Sequence, residues 1–348
     1  MPEVSVVIVC MNRPDLLFPC LDSLRVHTSL PFEVWVVAYR FSADNLQTLV
    51  ERYPWVEVVP SQEIRGFSEN NNLALKHVKG RYCFILNDDT LLQMPVIDRL
   101  VADLENLPAP AAAISPCIRF ADGSVQTCGR TPWTPWRYVK HYLHLVDEGK
   151  DGVRGDSVHF VHSGPSHRFL RPLRELVSGG PLPLPSSGGG QAPRTPSFPS
   201  SAVFQTYTLN GACFLIKTEV FKTVGWFDER YFFTPEDIAL GQKLNEAGYT
   251  VWVDPEVDIT HLAGGSVSAL EAAIKPARVR GSMIFYGEPL WLKCFIWCVE
   301  LARYILNSCH SERSEESPYA LRRRVARNVM HTVFSHKTPK EIFLQFKP

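Results

Sequence analysis

Four clusters of side chains in this sequence have types and spacing that could do chemistry. Asn87-Asp88-Asp89 directly follows the apolar run Tyr82–Leu86. A carboxylate at the carboxyl end of a buried strand projects into the ligand crevice, and its oxygens suit Mg²⁺ or Mn²⁺. The same tripeptide has the composition of a plain turn, so residue type alone leaves both readings open. Thr234-Pro235-Glu236-Asp237 precedes a helical pattern carrying Ile238, Leu240 and Leu244. Acidic residues there cap a helix and suit its dipole; alternatively, one carboxylate is a general base for an incoming hydroxyl. His261 follows Val257–Thr260 and precedes Leu262-Ala263-Gly264-Gly265-Ser266. It is a structural histidine or a ligand, and the glycines after it form a turn or let backbone approach a phosphate. Arg65-Gly66-Phe67-Ser68-Glu69-Asn70-Asn71-Asn72 is a polar loop running into a helix. Its amides could bond a ribose or diphosphate at a helix N-terminus, or Ser68 could simply cap that helix. A looser set, His141, His144, His159, His162 and His167, fits no zinc spacing.

The elements that must position these groups follow from periodicity. Val4–Cys10, Glu33–Ala38, Val56–Val59 and Tyr82–Leu86 are short, largely β-branched or apolar runs. Helical patterns lie between them, to about Val26, around Asn45–Tyr53 and near Ser68–His77. Buried strands alternating with helices imply a parallel, doubly wound α/β sheet. Ligands sit beyond the carboxyl ends of such strands, which directs attention to Met11–Asp15, Tyr39–Asp44, Ser61–Asn72 and Asn87–Thr90. From Asp147 to about Ala202 the chain is rich in Gly, Pro and Ser and lacks periodicity, so a long flexible insertion is expected. Order resumes at Val203–Ile216, followed by helices near Thr218–Val224 and to about Ala247 and a strand at Thr250–Asp254.

Composition excludes more than it identifies. The 348 residues are 45% hydrophobic and 21% charged, as in an ordinary globular protein, and the formal charge of +0 gives no reason to expect nucleic acid as partner. Nine scattered cysteines without a CxxC pair read as reduced thiols. The N-terminus enters a strand without a basic region ahead of it, so no signal peptide is expected and the catalytic part should be cytoplasmic.

Taken in order, these pieces resemble the family 2 inverting glycosyltransferases of GT-A fold, especially the bacterial rhamnosyltransferase-like branch. Val4–Arg13 resembles the first strand and its nucleotide-contacting loop. Gly66–Asn72 resembles the glycine-and-asparagine loop, and Asn87-Asp88-Asp89 stands at the DxD motif in its Asn-first variant. Leu209–Ile216 resembles the acceptor-side strand. Gly225–Arg230 with Pro235-Glu236-Asp237 resembles the stretch ending at the base, and His261 with Gly264-Gly265-Ser266 the late His-glycine feature. The resemblance covers roughly residues 3–120 and 205–270. It implies a GT-A sheet flanked by helices with a C-terminal helical extension. Its divisions would be a donor half at 1–146, the insertion at 147–202, an acceptor half at 203–275 and a basic helical extension at 276–348.

It further implies transfer from a nucleotide-sugar to a glycan or lipid-linked acceptor, with inversion, in bacterial cell-wall or surface polysaccharide synthesis. Asp237 would be the base and Glu236 would orient the acceptor. Asp89, Asn87 and His261 would hold Mg²⁺ or Mn²⁺, and Asn12, Arg13, Arg65, Gly66, Asn70, Asn71 and Asp88 would bind the donor. Two departures stand out. The second strand ends Ala38-Tyr39-Arg40 with no carboxylate before Asp44, which leaves the nucleotide base open. After Asp237 come Ala239 and Gln242-Lys243 in place of a further Asp and Arg. The rival classes are a nucleotide-sugar-binding protein without turnover and a sugar nucleotidyltransferase, though Cys10-Met11-Asn12-Arg13-Pro14 lacks the latter's glycine-rich clamp. Trp291–Leu306 has a wide apolar face, with Lys293, Glu300, Arg303 and Asn307 in about a quarter of the circumference. With the basic tail, this makes peripheral contact through 289–348 at the inner face of the plasma membrane an expectation, a packed helix its alternative.

Overall fold

The computed structural model describes residues 1–126, 129–143, 203–262, 270–309 and 318–347. The expected insertion, Gly264-Gly265-Ser266 and His144, His159, His162 and His167 lie outside the described residues. The described chain divides into two compact units, residues 1–143 with 203–262, and residues 270–347.

The first unit opens with β1 (Val4–Cys10), α1 (Pro14–Val26), β2 (Phe32–Tyr39), α2 (Ala43–Arg52), β3 (Val56–Ser61) and α3 (Phe67–Leu75). It continues with β4 (Tyr82–Asn87), β5 (Thr90–Leu92), α4 (Val96–Asn106), β6 (Ala111–Arg119) and α5 (Pro135–Tyr142). After the insertion come β7 (Phe204–Thr206), β8 (Cys213–Lys217), α6 (Thr218–Thr223), α7 (Glu236–Glu246) and β9 (Thr250–His261). Local chemistry sets several of these boundaries. Pro14 opens α1, where its missing N–H costs nothing, and Ser42 caps α2 by accepting from the Asn45 N–H at 3.2 Å.

The sheet runs β3-β2-β1-β4-β8-β6-β9-β5, with β7 on β9. The pairs β1·β2, β2·β3, β1·β4 and β6·β9 are parallel; β8, β5 and β7 run against their neighbours. The sheet is therefore mixed but mostly parallel. Alternation along β1 sends Val4, Val6, Ile8 and Cys10 to one face and Val7 to the other. The first face packs on Leu17, Leu21 and Leu24 of α1, Leu49 of α2 and Leu100 of α4. The second packs on Leu75 of α3, Phe221 of α6 and Leu240 and Leu244 of α7. Helices on both faces make the sheet doubly wound, each fully buried leucine contributing about 1.5–3 kcal/mol relative to exposure.

Two strands differ from the sequence expectation. Val203–Ile216 divides into β7 and β8, because Asn210-Gly211 turns the chain and the Asn210 side chain accepts from the Ala212 N–H at 2.9 Å. β9 is longer than Thr250–Asp254, and its register on β6 shifts between Pro116 and Cys117 before pairing resumes at Asp258. That irregularity lets one strand carry both core residues and His261.

The second unit consists of α8 (Glu271–Phe285), α9 (Leu290–Ser308), α10 (Pro318–Val333) and α11 (Pro339–Phe346). Thr338 and Glu341 close a capping box on α11. Among the described residues no helix is long and apolar enough to cross a membrane.

Candidate active site

β1 and β4 lie side by side and parallel, so the loops beyond both carboxyl ends meet. Asn87-Asp88-Asp89 is the tight link from β4 to β5. It is a turn, and it is also a convergence point. Thr90 is fully buried and donates its hydroxyl to the Asn87 carbonyl at 2.7 Å, which fixes the turn from below. β5 then pairs antiparallel with the end of β9, with Thr90 opposite His261. The Leu262 N–H donates to the Asp89 carbonyl at 2.8 Å. Residues more than 170 positions apart are thus clamped together by ladder hydrogen bonds.

His261 Nε2 stands 3.1 Å from Asp89 Oδ1 and 3.4 Å from Asn87 Nδ2. Asp89 Oδ1 is buried and has no hydrogen-bond partner, so with Nε2 unprotonated the 3.1 Å approach brings two electron-rich atoms together. On its other edge, His261 Nδ1 lies 3.1 Å from Gln126 Oε1. A bond to that oxygen places a proton on Nδ1; in the neutral ring Nε2 then carries a lone pair, which faces Asp89 and Asn87 Nδ2. Only a proton or a cation between Nε2 and Oδ1 makes such an approach favourable. The donor set suits a divalent cation: one carboxylate oxygen and one imidazole nitrogen, with the amide of Asn87 adjacent. Among the described residues no three His, Cys, Asp or Glu side chains converge on one point. The remaining ligands would have to come from substrate oxygens and water.

Gln126 was not visible as a site residue in the sequence. It is carried in by a short return after β6. Asp122 Oδ1 accepts from the Ser124 N–H and hydroxyl, and the Gln126 N–H donates to the Ile118 carbonyl at 2.7 Å. The only sequence signal is the Asp122-Gly123 turn, with Gly123 at φ +81°. That turn predicts a reversal but not what the following side chain meets.

Asp88 faces the first loop. Burial pushes its carboxyl up to about 6, partly offset by a hydrogen bond from Cys10 and reinforced by the charge of Asp89. Arg13, which the same loop supplies, bonds Asp15 at 2.7 Å and adds a positive field at Asp88. Asn12 sits at φ +52° and its Oδ1 accepts from Ser42 N–H at 3.1 Å and Asn45 Nδ2 at 2.9 Å. Its side chain therefore fastens the loop after β1 to the start of α2.

The polar loop before α3 is used differently from the sequence expectation. Gly66 caps the helix in place of Ser68, whose hydroxyl is buried. A Cβ on Gly66 would stand 2.3 Å from the Phe232 carbonyl oxygen, so glycine here serves a close backbone approach. Asn70 is buried; it accepts from Ser61 Oγ at 3.0 Å and donates to the Gly66 carbonyl at 3.1 Å. Asn71 donates to the Phe67 carbonyl at 2.9 Å, and Asn72 bonds Phe227 and Glu229. Arg65 is held by Ser61 and Glu63. These amides brace the loop that borders the cleft.

Glu236 and Asp237 open α7, with Pro235 as the preceding residue. Glu236 is buried, and Asp237 accepts from the Ile238 N–H at 2.8 Å. Gly211-Ala212 links this helix start to the β4 turn. The Ala212 carbonyl accepts from the Asn87 N–H at 2.9 Å, while a Cβ on Gly211 would lie 3.5 Å from Asp237 Cβ. Gly211 thus brings its backbone close beside Asp237. Of the histidine set, His141 packs edge-on against Trp133.

Comparisons with known proteins bear on the family and the fold. Residues 5–166 match the model of Glycosyl transferase family 2. The chain is 26% identical over 264 residues to the O-antigen biosynthesis protein RfbC of Myxococcus xanthus; this spans 75% of the chain but 17% of that protein. It is 25% identical over 296 residues to an N-acetylglucosaminyl-diphospho-decaprenol L-rhamnosyltransferase of Mycobacterium tuberculosis, covering 82% of this chain and 84% of the other. A crystal structure of GalNAc-T7 with UDP, GalNAc and Mn²⁺ superposes with a TM-score of 0.52 at 15% identity, over 89% of this chain and 58% of that one. That likeness is one of fold, GT-A.

Proposed function

We propose that this chain, which carries a family 2 glycosyltransferase domain, moves a sugar from a nucleoside-diphosphate donor to a hydroxyl of a glycan or lipid-linked glycan, with inversion. The observation that carries the reading is the approach of His261 Nε2 to Asp89 Oδ1 at 3.1 Å, in a turn that the Asn87 N–H ties to Ala212, next to the Gly211 that packs by Asp237. The name of the mycobacterial relative supports a lipid-linked acceptor, and both relatives' names support a place in bacterial surface polysaccharide synthesis.

Asp237 takes the proton from the acceptor hydroxyl as that oxygen bonds the anomeric carbon, while the bond from that carbon to the diphosphate oxygen breaks on the opposite face. Glu236, buried at the same helix start, orients the acceptor. Asp89 and His261, with Asn87 adjacent, would hold Mg²⁺ or Mn²⁺, which neutralises charge growing on the departing diphosphate. Asp88 and Arg13 border the donor side, and Asn12, Arg65, Gly66, Asn70 and Asn71 shape its loops.

The test is a panel of UDP-, GDP- and dTDP-sugars with Mn²⁺ or Mg²⁺, scored for binding, hydrolysis and transfer. Metal-dependent binding of one nucleotide-sugar, with turnover lost in Asp237→Asn and Asp89→Ala, is the expected result. Tight donor binding by wild type with neither hydrolysis nor transfer would instead assign a binding module.

A further inference from the structure

α9 turns its charged side chains inward, beside the buried Leu292 and Ile296, and leaves an apolar stripe exposed. Glu300 is fully buried, bonded by Lys275 at 3.2 Å and by Arg303. Lys293 bonds Glu288 at 2.5 Å, and Asn307 is buried with its carbonyl accepting from Arg323 at 3.0 Å. Trp291, Cys294, Cys298, Ala302 and Ile305, all apolar, are exposed. At ~100° per residue they fall within one stripe of roughly 80°, opposite the polar set. Trp291 is 49% exposed and Ile305 52%.

Beside the C-terminal turns of this helix, Tyr304 and Ala320, Arg323, Arg324 and Arg327 of α10 line an open cavity of about 280 Å³. Arg323 is anchored on the Asn307 carbonyl. Arg324 and Arg327 are exposed and make no ion pair among the described residues. Among the described residues no carboxylate lines the cavity. Three guanidinium groups spaced i, i+1 and i+4 on one helix repel one another, and a phosphate relieves that repulsion while matching their fork geometry.

We propose that this cavity seats the phosphate of an anionic membrane lipid, with the exposed stripe of α9 lying at the acyl boundary. Cationic and apolar surfaces on one helix pair are what an interfacial element needs, since charge recruits the bilayer and buried apolar area holds it. Arginine stems reach from an apolar boundary to headgroup level without burying their charge. This gives a specific site to the membrane contact that the basic tail only suggested. It does not depend on the transferase reading.

The test uses the full chain in chelator without donor. Co-sedimentation is measured with vesicles of phosphatidylcholine alone and with added phosphatidylglycerol. Wild type should bind only the anionic vesicles. Arg324→Gln with Arg327→Gln should lower partitioning about thirtyfold, at roughly 1 kcal/mol per basic residue. Lys337→Gln with Lys340→Gln removes the same charge from around α11 and should change partitioning by less than about threefold. Trp291→Ser with Ile305→Ser should also release the protein while its helical circular dichroism stays unchanged. Equal losses in the two charge-removing pairs would reduce the contact to general surface charge and overturn the site. Wild type binding inorganic diphosphate but no anionic vesicle would overturn the lipid as its source.

Discussion

Asp89 Oδ1 and His261 Nε2 face each other at 3.1 Å across the β5·β9 ladder without a hydrogen bond between them. The ladder imposes that closeness, because Thr90 pairs with His261 and the Leu262 N–H is bonded to the Asp89 carbonyl. On the proposed function, these two atoms, held together by backbone register with one buried, would form half of a cation site. Removing either should therefore weaken metal binding while leaving the fold intact.

The first expectation concerns that pair. His261→Ala and Asp89→Ala should each lower Mn²⁺ affinity, measured by electron paramagnetic resonance with nucleoside diphosphate present, by at least about tenfold to a hundredfold. Thermal stability of Asp89→Ala should not fall, since the substitution removes a buried carboxylate oxygen that has no donor. Unchanged Mn²⁺ affinity in both variants would sink the metal assignment.

Gln126 gives a finer test. Its Oε1 at 3.1 Å from Nδ1 selects the tautomer that frees Nε2. Gln126→Leu should lower Mn²⁺ affinity about tenfold to a hundredfold, as outer-sphere partners of histidine ligands do, and Gln126→Glu, which keeps an acceptor oxygen, should restore most of it. A Gln126→Glu variant as weak as Gln126→Leu would show that packing, not the hydrogen bond, matters there.

The sequence made the parallel half of this site legible because continuous apolar runs such as Val4–Cys10 have few alternatives to a buried strand. It also ordered Asn87-Asp88-Asp89, Glu236-Asp237 and His261 along the chain. Contacts that depend on register were not legible. The pairing of Thr90 with His261 needs the three-residue shift in β9, and nothing local in Thr250–His261 announces it. Residue type suits Gly66–Asn72 to donor binding, yet Asn70 and Asn71 are bonded to their own loop and helix. Amides at a helix start are equally suited to either use. Likewise, Lys293, Glu300 and Arg303 marked the polar side of α9, but not that this side faces inward.

Gly66 makes the bracing role testable. Any Cβ there meets the Phe232 carbonyl at 2.3 Å, and that same carbonyl accepts from the Phe67 N–H at 3.2 Å. Backbone cannot swing aside as a flexible side chain would. Gly66→Ala should cost about 1–3 kcal/mol in urea unfolding, typical of overpacking. A loss below a few tenths would mean that the 61–70 loop yields freely.

The last expectation is a pH dependence away from the cleft. Asp103 on α4 has its carboxyl pushed up to about 7 by burial, by the hydrogen bond its protonated form donates to Asp254 of β9 and by that residue's charge, with Arg99 opposing. An unfolded aspartate titrates near 3.8. The folded form therefore binds the proton more tightly than the unfolded form. The stability this contributes is complete below the unfolded value and is lost as pH rises through about 7. Asp103→Asn cannot ionise and escapes that loss. Its advantage over wild type should grow between about pH 4 and pH 7 and level off above, reaching on the order of 1 kcal/mol once partial exposure is discounted. Urea midpoints for both proteins across that range decide the matter. A difference that stays constant with pH would mean that Asp103 ionises as freely in the folded chain as in the unfolded one.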